Sequence, residues 1–148
     1  MKKLFQEKMS LNAANIDATS CYLETYAKAV DCESKSLLRA RLAVENVLLQ
    51  WMEQTTGPML VSLVKKSTEL VLEIRLPGNK WNPFGDTEIE SDAQDLQSWL
   101  NRFIDDISYQ YYEDVNILVA SIPRKNQSGI KTMVIAMVAG VVSGIVCK

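Results

Sequence analysis

The chain has 148 residues, 47% of them apolar and 23% charged, with a formal net charge of −2; that fits one domain with a buried core and excludes two of ordinary size. Sixteen Lys and Arg against eighteen acidic residues argue against a basic nucleic-acid face. The absence of histidine excludes Ser-His-Asp and Cys-His catalysis and every His-ligated metal site, and no other metal site is expected. Cys21, Cys32 and Cys147 show no C-x-x-C spacing and read as cytosolic thiols.

The averages hide an asymmetry. Residues 133–147 carry no charge, while every acidic residue lies before residue 115. The expectation is a globular domain over 1–125 and a linker with an apolar segment over 126–148. The N-terminus has no secretory h-region, because Gln6, Glu7 and Lys8 break its apolar stretch.

In chain order, residues 4–11 fit a first strand, and 12–29 a loosely amphipathic helix with Asn15 or Asp17 as cap. The strongest helix runs over 35–54, with Ser34 or Ser36 as cap and Gly57-Pro58 as stop. At about 100° per residue, Leu37, Leu38, Leu42, Val44, Val47, Leu48, Leu49, Trp51 and Met52 share one broad apolar arc, with Arg39, Asn46, Gln50 and Glu53 opposite. Glu45 falls inside the arc one turn after Arg41, the spacing of a structural ion pair. Strands are expected over 59–65 and 69–76, the second alternating Leu70, Leu72, Ile74 and Leu76 with Val71, Glu73 and Arg75. A long loop from Pro77 holds Trp81, Asn82 and Phe84, after which 91–105 has helical spacing and 107–112 with 115–122 reads as a hairpin. This order predicts an α+β two-layer sandwich, a mainly antiparallel sheet with helices on one face.

The apolar segment is read as the start of a transmembrane helix. Residues 133–147 would span about 22 Å as a helix, and counting from Ile130 reaches 18 residues, the lower edge of a span. Arg124, Lys125 and Lys131 precede it, so the positive-inside rule puts the N-terminal domain in the cytoplasm of a cell-membrane protein. The expected partner is therefore the membrane, and the chain reads as the start of something longer. Gly140 and Gly144 form a weak G-x-x-x-G helix-packing motif.

Three stretches carry a family resemblance: RLAVENVLLQWME (41–53), VLEIRLPGNKWNP (71–83) and FIDDISYQYYEDVNILVASIPRK (103–125). Together they resemble the GHKL-type, or Bergerat, ATPase fold of histidine kinases, gyrase-type ATPases and anti-sigma-factor kinases. In that family a helix Glu orients the attacking group and an Asn four residues later holds magnesium. The matching positions here are Asn46 and Gln50, neither of which can act as a carboxylate base; shifting the register by one uses Glu45 but pairs it with Leu49. The adenine-binding Asp is matched by Leu76, and the Gly-x-Gly by Gly78 and Lys80. Asn82 completes the set of degenerate pocket positions. Residues 88–98 contain no glycine where the phosphate lid belongs. The resemblance thus implies a fold without its chemistry: no enzyme, no cofactor, no nucleotide.

A degenerate domain of this kind followed by an apolar helix resembles the N-terminal part of bacterial dicarboxylate or amino-acid:cation symporters. That implies a non-catalytic regulatory domain partnered by the transport domain of the same longer protein, with Trp81 and Phe84 as interface candidates, although a loop Trp also packs on its own domain. Two alternatives stay open at this point: an anti-sigma-like interaction switch with a membrane tail and a protein partner, and an active ATP-binding serine kinase.

Overall fold

A computed structural model describes residues 1–84 and 106–125. Strand β1 (Lys2–Met9) is followed by helices α1 (Ala13–Ala29) and α2 (Ser34–Met52), strands β2 (Met59–Lys65) and β3 (Glu69–Pro77), and the hairpin β4 (Ile107–Tyr112) and β5 (Val115–Pro123). The strands form one sheet in the order β1-β2-β3-β5-β4, and every neighbouring pair is antiparallel. The expected α+β architecture is therefore present, with strand limits within two residues of those expected. The helix expected over 91–105 and the apolar segment over 126–148 lie outside the described residues. Among the described residues, no helix is long and apolar enough to cross a membrane.

Alternation sets the core. Leu70, Leu72, Ile74 and Leu76 of β3 all point inward and pair in register with Ile122, Ala120, Leu118 and Asn116 of β5. Leu63 and Val61 continue the inward rows onto β2, as the period of two requires. Against this face α2 lays Leu37, Ala40, Ala43, Val44, Val47, Leu48 and Trp51, and α1 lays Ile16, Leu23 and Ala27. Phe5 of β1 stacks on Tyr22 at 4.5 Å and lies 6.1 Å from Tyr26, closing the α1 side of the sandwich.

Several local expectations are corrected. Asn12, not Asn15 or Asp17, caps α1: its side chain accepts from the Asn15 N–H at 2.8 Å, and the Asn15 amide is turned back onto the Ser10 carbonyl. Neither Ser34 nor Ser36 caps α2; Glu33 holds the cap position without a capping bond to a backbone N–H, and its carboxylate accepts instead from Ser36 Oγ. The apolar arc of α2 is narrower than its sequence suggests, because Leu38, Leu42 and Leu49 face away from the sheet. Glu45 makes the expected i,i+4 ion pair with Arg41, at 3.4 Å, rather than entering the core. It takes the Ser20 hydroxyl and the Arg41 guanidinium, and Arg41 also reaches Glu24 at 2.8 Å, so polar contacts tie α2 to α1.

The end of the domain is pinned rather than loose. Arg124 donates from Nε to the Val30 carbonyl and from Nη1 to the carbonyls of Lys66 and Ser67, while Lys125 pairs with Asp31 at 3.4 Å. Two of the three basic residues expected to orient a membrane span thus also hold the α1-α2 connection and the β2-β3 turn.

Cys32 is a free thiol packed under this clasp, its Sγ 3.8 Å from the Ile122 carbonyl oxygen. Cys21 is disulfide-bonded, which corrects the reading of three thiols. Burial pushes the Cys32 thiol up to about 11, whereas an exposed thiol ionises near 8.5. The folded state therefore holds its proton longer than the unfolded one, and this group withdraws stability as pH rises from about 8.5 toward the folded value. We expect Cys32 to resist a thiol reagent at pH 8 in the native chain and to react once urea unfolds it; rapid native labelling would contradict the burial.

Candidate functional site

The loop after β3 meets the C-terminal end of α2, where the resemblance places a nucleotide pocket. What organises this region is Asn116, which sequence reasoning missed. It occupies an inward position of β5 directly opposite Leu76 and is fully buried. Its Nδ2 donates to the carbonyls of Leu76 at 3.1 Å and Asn79 at 2.8 Å, and its Oδ1 accepts from the Trp81 N–H at 3.0 Å and the Tyr109 hydroxyl at 2.5 Å. Buried amides are tolerated when both ends are satisfied in this way. The signal was present in sequence as a polar residue breaking the apolar alternation of β5.

Around this hub the loop is clamped from both sides. The Gly78 N–H donates to the Asp114 carbonyl at 2.9 Å, and the Tyr111 hydroxyl donates to the Gly78 carbonyl at 2.7 Å. Loss of solvent and the nearby Asp114 carboxylate hold the Tyr111 phenol above its ordinary range. The β4-β5 turn that presents Asp114 has consecutive left-handed residues, Glu113 and Asp114, at φ 49° and 62°, the geometry of a tight hairpin turn. Trp51 Nε1 donates to the Trp81 carbonyl at 2.8 Å and its ring meets Tyr109 edge-on at 6.3 Å.

The degenerate pocket positions are brought together only in part. Leu76 is fully buried beneath the loop. Gly78 adopts φ +145° and the Trp81 indole lies over it: a Cβ there would come within 2.6 Å of Trp81 Cη2. Asn82 turns its Oδ1 back to the Phe84 N–H at 2.9 Å, shaping the loop. Asn46 spends its amide on the Leu42 carbonyl of its own helix. Gln50 alone reaches the loop, and with Trp51, Gln54, Lys80, Trp81 and Asn82 it lines a shallow recess of about 330 Å³. Its Nε2 is buried without a hydrogen-bond partner among the described residues.

Of the two interface candidates, Phe84 is only 8% exposed and belongs to the core, which removes it from the surface. Trp81 is half-buried, packed on its own domain through Gly78 and Trp51. Chemically, the recess offers amide groups, one ammonium and indole edges. Among the described residues its lining contains no carboxylate, and the groups it offers suit a polar ligand. Glu45, the acid one turn before Leu49 on α2, is committed to Ser20 and Arg41.

A scan against protein-family models finds no match, and a search of the curated proteins finds none either.

Proposed function

We propose that residues 1–125 form a non-catalytic regulatory or accessory domain on a Bergerat-type ATPase scaffold, the cytoplasmic N-terminal part of a sodium- or proton-coupled dicarboxylate or amino-acid symporter in the cell membrane. The observation that carries the non-catalytic part of this reading is the occupied pocket region. Trp81 lies over Gly78, Leu76 is sealed beneath the loop and Asn116 holds the backbone of both, which supports a region filled by the protein's own side chains rather than by a nucleotide base. The Gln50 amide, without a partner among the described residues, leaves a small polar contact, and residues 88–98 lack the glycines of a phosphate cradle. The link to a symporter rests on the resemblance of the domain and of the apolar segment after Lys125.

Calorimetric titration of the chain with Mg-ATP tests the first part: the expected result is no saturable heat and no hydrolysis, and micromolar binding with turnover would overturn it. Sequencing the gene beyond codon 148 tests the second. A continuing frame with further apolar spans supports the symporter, and a stop codon supports the anti-sigma-like switch instead.

A further inference from the structure

Helix α2 turns a stripe of leucines away from its own core. Leu38, Leu42 and Leu49 lie within about 40° of one another around the helix axis and are 55%, 40% and 47% exposed. Single exposed leucines are ordinary, but three on one outward side of the helix make an apolar strip, broken at the turn of Glu45 and Asn46. Beyond either end of the strip, on nearly the same side of the helix, stand two exposed charges, Lys35 and Glu53.

These charges are placed against their own helix. A cation at the N-terminal end and an anion at the C-terminal end both oppose the helix dipole; Glu33 at the N-cap offsets Lys35 in part, while no base in the last turn offsets Glu53. Laying a second α2 antiparallel on the first removes that conflict, since each charge then meets the opposite end of the other helix. The geometry is also self-consistent. A two-fold axis near Val44 brings Leu38 onto Leu49 of the second copy and Lys35 onto Glu53 of the second copy, because both pairs have nearly the same midpoint in sequence. A parallel arrangement would set like charges side by side.

We propose that the Leu38-Leu42-Leu49 strip is a self-association surface, on which two copies of the chain pair through antiparallel α2 helices. This goes beyond the function proposed above and does not depend on it. A single helix pair is a small isologous interface, so the dimer is reversible, with a dissociation constant on the order of micromolar.

Sedimentation velocity of the full chain in a mild detergent, over roughly 1–200 μM, reads this directly. The expected result is a concentration-dependent monomer-dimer equilibrium that Leu42→Lys weakens at least about tenfold and Lys35→Glu weakens similarly. Lys35→Glu combined with Glu53→Lys should restore it, since the swapped charges again oppose across the axis. Leu49→Glu is an independent second break of the strip, and thermal unfolding of each variant verifies that the fold is retained. A chain monomeric throughout, a dimer indifferent to Leu42→Lys and Leu49→Glu, or a double swap that fails to rescue would each overturn the proposal.

Discussion

Replacing Asn116 with alanine is expected to lower the free energy of unfolding by about 3 kcal/mol, visible as a lower midpoint in urea denaturation. The side chain is fully buried and satisfies four partners: the carbonyls of Leu76 and Asn79, the Trp81 N–H and the Tyr109 hydroxyl. Truncation leaves several of these without a hydrogen bond, and each buried unsatisfied group costs about 1–3 kcal/mol, softened by relaxation of the loop. Asn116→Asp should be at least as damaging at neutral pH, because a carboxylate cannot donate to the two carbonyls and sets its charge against them. Tyr109→Phe removes one bond and should cost only about 1 kcal/mol. A loss below about 1 kcal/mol for Asn116→Ala would mean that the hub does not hold the loop.

Gly78→Val is the second large effect. A φ of +145° already disfavours any side chain, and the new Cβ would sit 2.6 Å and 2.7 Å from Trp81 Cη2 and Cζ3. The indole must leave, yet the backbone of Trp81 is tied to Asn116 and Trp51, so the ring swings outward while the loop strains. We expect a loss of about 2–3 kcal/mol together with a red shift of tryptophan emission. Trp81→Phe in the same background identifies which indole reports: the shift should vanish. A wild-type spectrum and midpoint for Gly78→Val would show that the indole does not seal this site.

Much of the fold was legible because it rests on local periodicity. The alternation in β3 and β5 and the length of α2 each follow from one segment alone, and the structure places them within a residue or two of the expectation. Capping was less legible. Asn12, Asn15 and Asp17 all suit a helix start, and Asn12 prevails because the Asn15 side chain is engaged by the Ser10 carbonyl. The α2 wheel offered more apolar residues than one face can bury. Leu38, Leu42 and Leu49 lose that competition because the sheet lies under Ala40, Val44 and Val47 while α1 takes the side of Arg41 and Glu45.

The site was legible as a set of positions but not as an arrangement. Leu76, Gly78 and Gln50 could be picked out, and Leu76 is indeed apolar and buried. Trp81 and Phe84 stood out by size in a Pro- and Gly-rich loop. Whether such rings face solvent or fold back depends on what waits beneath them, and here Gly78, Trp51 and the core supply that surface. Asn116 lies 35 residues from Trp81 in sequence, and its role exists only once β5 pairs with β3.

By itself the amino-acid sequence determined the order of the described elements and the two-layer α+β class, since each depends on residue type and near-neighbour spacing. Only the tertiary structure decided which leucines of α2 enter the core, that Trp81 closes over Gly78, and that one buried amide joins β3, the loop and β4. Those outcomes depend on contacts between distant segments, where burial and hydrogen-bond satisfaction are settled by packing geometry rather than by local preference.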